Sequence, residues 1–314
     1  MTPAPRAERQ DVSVVIATYG REEVLLETIR RVLEQEPAPL ELLVVDQTPS
    51  HSPAVERELT RLSAAGDIDW IRQRKASIPC AMNVGLLRAW SEVILFLDDD
   101  VIPGPGLVAA HREAHRESGA TVVAGQVLQP SEEPVPGPHS PFRFNSSERG
   151  WVTQVIGANF SIQRDLALAI GGMDENFVRA AYGFEAELCA RASAAGARIL
   201  FEPGATVRHL RAPAGGTRAY GSHLRTVKPG HAVGAFYRIL RTSRPRAVPA
   251  RIVARLARSV RTRHHLSRPW WIPVTLVAET LGLAWAIGLT IRGPRLLGAV
   301  GQTPASGGSS EGES

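Results

Sequence analysis

The chain has 314 residues, 44% of them hydrophobic and 21% charged. That balance belongs to a globular protein with a buried core; it excludes global disorder and a collagen-like repeat. With only Cys80 and Cys189, it also excludes a disulfide scaffold, and both thiols are expected to be buried. The net charge of +5 conceals a split. Residues 1–197 hold 18 Lys+Arg against 27 Asp+Glu, and residues 198–314 hold 18 against 4, giving −9 and +14. An acidic first part with a basic tail predicts chemistry in one region and attachment to an anionic partner in the other. No apolar run opens the chain, so no secretory leader is expected.

Strand and helix signals alternate from the start. Val12–Thr18 is a β-branched run suited to a buried strand, and Glu22–Glu34 carries apolar residues at helical spacing before Pro37 and Pro39. Glu41–Asp46 reads as a second strand. A helix over Ala54–Ala65, a strand over Ile68–Arg72 and a helix over Pro79–Trp90 follow. Val93–Leu97 then runs directly into Asp98, Asp99 and Asp100. Beyond these carboxylates the pattern predicts a helix over Leu107–Arg116, a strand over Thr121–Leu128, and a long Pro/Ser/Gly-rich loop from Pro130 to Gly150. A strand over Val152–Phe160, the Gly171-Gly172 turn, a helix over Glu185–Ala195, a strand over Arg198–Phe201 and the closing segment Ala205–His209 complete this part. The alternation predicts an α/β fold with a mainly parallel sheet covered by helices on both faces.

The tail has another character. Residues 251–261 place Ile252, Val253, Leu256 and Val260 on one helical stripe with Arg251, Arg255, Arg258 and Arg261 around it, a pattern suited to an anionic lipid surface. Trp270–Ile291 is a largely apolar run long enough to span a bilayer, although Pro273, Glu279 and Thr280 interrupt it. Either a span or an in-plane helix fits this run. The arginines of the basic tail lie beside aliphatic residues and tryptophans, not in an aromatic stacking platform, so no nucleic-acid partner is expected. The expected organisation is a disordered N-terminus (1–10), a catalytic domain (11–215), a basic amphipathic and hydrophobic helical extension (216–300) and a disordered tail (301–314).

Ligands of open α/β sheets bind beyond the carboxyl ends of the strands, where Thr18, Tyr19, Asp46 and the three aspartates fall. Three successive carboxylates at a buried strand end need neutralising, and a hard divalent cation such as Mn²⁺ or Mg²⁺ suits them. His111 and His115 lack the order of a zinc-protease motif and are expected on an exposed helix face.

In order along the chain, Val14–Tyr19, Val44–Asp46, Asn83–Gly85, Phe96–Asp100, Gly171–Glu175 and Tyr182–Glu185 resemble the motifs of family 2 glycosyltransferases. The resemblance spans roughly residues 11–211. It implies a GT-A fold with a Rossmann-like nucleotide-binding half and an inverting sugar transfer from a nucleotide-diphosphate sugar to a glycan or lipid-linked acceptor. It also implies roles. Thr18 and Tyr19 line the nucleotide pocket, Asp46 meets the base, Asn83 belongs to the nucleotide-sugar site, and Asp98 and Asp99 lie near the ribose. Asp100 and His209 are the implied metal ligands, and Glu185 the implied catalytic base. Met82 stands where the family pattern commonly has an arginine, which Arg72, Arg74 or Lys75 would replace. Phe184 stands where an acid is common. Asp174 and Glu175 are alternative bases, and the Pro130–Gly150 loop is expected to fold over the acceptor. The implied setting is the cytoplasmic face of the cell membrane, in the making of a lipid-linked or cell-surface glycan. Two other readings stay open: a nucleotidyltransferase on a related fold, and a catalytically inactive membrane-associated scaffold.

Overall fold

The structure is a computed structural model, and it describes residues 11–137, 142–220 and 225–298. The two terminal segments expected to be disordered, 1–10 and 301–314, lie outside these residues. Strands β1 (Val12–Thr18), β2 (Glu41–Asp46) and β3 (Asp69–Arg72) alternate with helices α1 (Glu23–Leu33), α2 (Pro53–Ala65) and α3 (Ile78–Arg88). Local chemistry sets these boundaries. Ser52 caps α2 ahead of Pro53, Gly66 closes it with φ +80°, and Ser77 caps α3 ahead of Pro79.

Next come β4 (Val93–Leu97), β5 (Val101–Pro103), α4 (Leu107–Ser118), β6 (Val122–Leu128), β7 (Gly150–Val152) and β8 (Asn159–Gln163). Helices α5 (Arg164–Ala169) and α6 (Phe184–Ala194) and strand β9 (Ile199–His209) complete the sheet region. The sheet order is β3-β2-β1-β4-β8-β6-β9-β5, with β7 on β9. The β3-β2-β1-β4 half is parallel; β8 enters antiparallel between β4 and β6, and β6 pairs parallel with β9. Alternating side chains divide the core between the two faces. Val14 and Ile16 pack with Leu25, Val44 and Leu95, whereas Val15 packs with Phe96, Phe160 and Phe201.

Two expectations about elements change. The strand expected over Val152–Phe160 is two separate strands, because β7 pairs with β9 while β8 crosses to β4 and β6. The strand expected over Arg198–Phe201 runs on to His209 as one strand, with an irregularity opposite Gly125 and Gln126. In the long loop, Phe142 and Phe144 pack edge-on to Phe201, anchoring it beside the sheet.

His111 and His115 are not on an exposed face. Both are buried: His111 bonds Ser161 Oγ and Asn159 Oδ1 at 2.8 Å each, and His115 bonds Ser161 Oγ at 2.8 Å and Ala120 O at 2.9 Å. Burial depresses them to about 3 and about 4.

The C-terminal helices are α7 (Ala232–Thr242), α8 (Val248–Val260), α9 (Arg263–Ser267) and α10 (Ile272–Arg292). Helix α7, which the hydrophobic pattern did not single out, enters the core with Val233, Phe236 and Tyr237 fully buried. The region expected as an extension therefore begins inside the catalytic core. Helix α10 lies along α7 through Thr275, Ala278, Glu279, Gly282, Ala286 and Leu289; a Cβ at Gly282 would come within 2.6 Å of Ala232 Cβ. The chain after α10 returns to the sheet domain. Asn176 donates to Gly293 O at 2.7 Å, Arg295 N–H to Asp174 at 2.9 Å, and Leu297 N–H to Gly171 O at 2.8 Å. Residues 269–292 are the one helical stretch, among the described residues, long and apolar enough to cross a membrane.

Candidate active site

The carboxyl end of β4 delivers three aspartates to three different surroundings. Asp98 is half exposed, and Asp100 is buried with its Oδ2 accepting Ala212 N–H at 2.8 Å. Strand β9 runs antiparallel to β5 with His209 opposite Val101, which brings the ring back to the aspartates. His209 Nε2 lies 3.6 Å from Asp98 Oδ2 and 3.4 Å from Asp100 Oδ1, while Nδ1 accepts the Arg211 N–H at 3.1 Å. One ligand atom from each of Asp98, Asp100 and His209 falls within 4.8 Å of the others. Two hard oxygens and an imidazole nitrogen in so small a space fit a divalent cation. Asp98 therefore joins the expected pair Asp100 and His209.

Asp99 points elsewhere. Its carboxylate pairs with Arg21 at 3.0 Å, and the same guanidinium reaches Asp100 at 3.2 Å. Burial pushes Asp99 up to about 6 despite that cation. Arg21 also donates to the carbonyls of Ala212 and Ala214, so one buried guanidinium ties the aspartates to the strap that follows β9. Close backbone approach holds this strap. Gly216 N–H donates to Tyr19 O at 2.7 Å, and a Cβ on Gly215 (φ +79°) would sit 2.2 Å from Gly20 O. The aspartates thus receive part of their neutralisation from the protein itself. Arg21 did not stand out in the sequence; its one signal is its place three residues past the end of β1.

A cavity of about 400 Å³ opens at this edge. Thr18, Tyr19, Asp98, Asp99, Asp100 and His209 line it, with Glu185 among the lining residues, and Arg179 and Arg218 add cations. Glu185 stands in the first turn of α6, beside Gly157; burial, with the Asp98 charge adding to it, pushes its carboxyl up to about 7.

Two expected contacts are not brought into the cavity. Asp46 is fully buried and occupied: His51 Nε2 lies 2.8 Å from it, Trp70 Nε1–H donates at 3.0 Å, and Thr48 N–H donates at 2.8 Å. The carboxylate organises the loop after β2, and its neighbour Gln47 lines the cavity instead. Asn83 is also buried; it donates to Met173 O at 2.9 Å and accepts Met173 N–H at 2.7 Å, joining α3 to the Gly171-Gly172 turn. Arg72 pairs with Glu56, and neither it nor Arg74 nor Lys75 lines the cavity, whereas Met82 does. The alternative bases are held elsewhere. Asp174 accepts the Tyr237 hydroxyl and the amides of Asn176 and Arg295, and Glu175 pairs with Arg295.

With this geometry in place, the sequence profile of the glycosyl transferase family 2 domain matches residues 13–172, half of the chain. The chain belongs to glycosyl transferase family 2. A glucosyl-dolichyl phosphate glucuronosyltransferase of Haloferax volcanii is 28% identical over 220 residues, covering 63% of this chain and 68% of that protein. Among solved structures, GalNAc-T7 with UDP, GalNAc and Mn²⁺ matches with a TM-score of 0.57 at 14% identity, over 76% of this chain and 52% of that one. The mannosyltransferase PcManGT from Pyrobaculum calidifontis with GDP-Man and Mn²⁺ matches with a TM-score of 0.54 at 19% identity, over 91% and 79%. TarS of S. aureus gives 0.54 at 15% identity, over 77% and 40%. The chain thus spans about half of GalNAc-T7 and less of TarS. These likenesses establish the GT-A fold, and the family 2 transferase carries its aspartates and the half-buried Glu185 on one cavity.

Proposed function

We propose that this glycosyltransferase moves a sugar from a nucleotide-diphosphate donor to an acceptor hydroxyl with inversion, using Glu185 as base and a cation held by Asp98, Asp100 and His209. The observation that carries the reading is one cavity lined by both the Asp98–Asp100–His209 group and Glu185. Inversion needs the base and the leaving group on opposite sides of the anomeric carbon. Glu185 takes the proton of the acceptor hydroxyl as its oxygen bonds to that carbon. Its lifted pKa makes it a stronger base than an exposed carboxylate. The C–O bond to the diphosphate breaks, and Arg179 and Arg218 face the departing charge. A bound Mn²⁺ or Mg²⁺ supplies electrostatic stabilisation of that diphosphate. Thr18, Tyr19, Gln47 and Met82 shape the nucleotide end. The relatives named with UDP, GDP-Man and Mn²⁺, and the one named for a dolichyl-phosphate-linked substrate, support this donor, metal and acceptor class.

The C-terminal region fits an anionic membrane surface on the cytoplasmic side. Leu281, Trp285 and Ile291 of α10, together with Leu266 and Trp270, are exposed, and exposed Arg261, Arg263, Arg268 and Arg292 flank them. Because 293–297 return to the sheet domain, α10 lies in the interface instead of spanning the bilayer. The test is nucleoside-diphosphate release from a panel of UDP-, GDP- and dTDP-sugars with Mn²⁺, in the presence of membrane-lipid extract. Metal-dependent release with sugar incorporated into lipid is expected. No release from any donor would defeat the reading.

A further inference from the structure

The strand that carries His209 is not paired evenly along its length. Gly125 of β6 lies opposite Glu202, but the next residue, Gln126, lies opposite Thr206. Pro203, Gly204 and Ala205 are left over on the β9 side, and His209 beyond them keeps the register set at this break. Register matters because one residue of slip moves a strand by about 3.3 Å and turns each side chain to the opposite face. The ligand atoms of Asp98, Asp100 and His209 all lie within 4.8 Å of one another. Such a slip would take the imidazole out of the group.

Asn159 is placed to prevent it. Its Nδ2 donates to Gln126 O at 3.1 Å and to Ala205 O at 2.8 Å, one carbonyl on each strand at the break. Gly125 leaves the room, since a Cβ there would collide with the Asn159 amide. Oδ1 is held as well, by His111 Nε2 at 2.8 Å. An amide oxygen only accepts, so the ring, kept neutral by burial, carries its proton on Nε2. Turned over, the amide would set its own oxygen against two carbonyls. The main chain at this point serves the other half of the group. Asn159 is the register partner of Leu97, and Ala158 O accepts the Asp98 N–H at 3.3 Å. One fully buried residue thereby joins the strand leading to Asp98 to the strand ending in His209, and it does not itself line the cavity.

We infer that Asn159 is a positioning residue for the metal group: by tying Gln126 to Ala205 it fixes the β9 register that sets His209 beside Asp98 and Asp100. This rests on the metal reading above and adds the residue that assembles the ligand set from behind the sheet.

The test is Mn²⁺ binding to the full chain, with free ion counted by electron paramagnetic resonance and the ligand nitrogen on bound ion read by electron spin echo modulation. Wild type is expected to hold Mn²⁺ with an imidazole nitrogen. Asn159→Ala is expected to weaken binding as far as His209→Ala does, by up to about tenfold, and to lose the nitrogen modulation. Added to His209→Ala it should cost nothing more, because no imidazole is left to place; a general loosening of the fold would add a second loss. Leu59→Ala, a destabilising change in the core under α2, is expected to leave Mn²⁺ affinity unchanged. Urea unfolding reports the fold of each variant. If Asn159→Ala does not fold, Asn159→Ser, which keeps one short donor, carries the same comparison with a smaller loss. Affinity and nitrogen modulation equal to wild type in the folded Asn159 variant would overturn the inference, and so would a second loss on the His209→Ala background. Wild type that takes up no Mn²⁺ would defeat the metal reading itself, and the role of Asn159 with it.

Discussion

Arg21 and Asp99 form a buried ion pair at 3.0 Å, with side chains 7% and 8% exposed. The pair sits beneath the proposed metal site, because the same guanidinium also reaches Asp100 at 3.2 Å. Removing the cation leaves two buried carboxylates without their shared partner. Arg21→Met is therefore expected to cost about 3–5 kcal/mol of unfolding free energy at pH 8. The loss should shrink as pH falls through about 6, where Asp99 takes up a proton and no longer needs its partner. Urea unfolding at a series of pH values measures it, and a pH-independent loss would show that Arg21 acts through packing alone.

Asp100 lies in the turn between β4 and β5 and meets His209, the last residue of β9, through the β5–β9 pairing. Asp100→Ala is expected to lower Mn²⁺ affinity at least tenfold and to remove metal-dependent transfer, since it deletes a ligand that neither Asp98 nor His209 can replace. His209→Ala should weaken binding less, because two carboxylates remain. Electron paramagnetic resonance of free Mn²⁺ counts the bound ion directly, without reference to turnover.

Much of this site is legible in the sequence, for reasons particular to its residues. Asp98–Asp100 follow an apolar run long enough to be a buried strand, so their position at a sheet edge comes from local pattern. Glu185 opens a helix after a glycine, and that too is local. Asp46 and Asn83 do not line the cavity, since a motif gives a residue's place and not its direction. Each side chain is turned inward by partners from elsewhere in the chain: His51 and Trp70 for Asp46, Met173 for Asn83. His111 and His115 carry no local mark of burial; the polar residues that satisfy them, Asn159 and Ser161, lie far along the chain. Helix α7 escaped notice for the same reason, since its burial depends on α10 and α6 closing over it.

The pH dependence of transfer follows from Glu185. Its carboxyl titrates near 7, against 4.5 for an ordinary glutamate, because burial opposes its charge. The base must be ionised, so kcat is expected to rise tenfold per pH unit below about 7 and to level off above it. Stability runs the other way. The unfolded chain ionises at the ordinary value, so this residue's contribution is complete below pH 4.5 and is lost as pH rises through about 7. Glu185→Gln should abolish the limb along with transfer while nucleotide binding persists. A rate profile flat from pH 5 to 8 in wild type would remove Glu185 as the base.

Acid stability is governed by a different pair. His111 and His115 are held neutral behind the sheet, with pKa values near 3 and 4 against 6.5 in the unfolded chain. Their folded values are depressed, so the unfolded chain binds protons first as pH falls below 6.5, and stability drops until the folded values are reached. Each histidine contributes a slope of up to about 1.4 kcal/mol per pH unit in that window. Glutamine can keep part of the hydrogen bonding to Ser161 and Asn159 without a titrating ring. His111→Gln is thus expected to lower stability at pH 7.5 yet flatten the decline between pH 6 and 4. Guanidinium unfolding at those pH values tests this: equal slopes in variant and wild type would show that the acid limb arises elsewhere in the molecule.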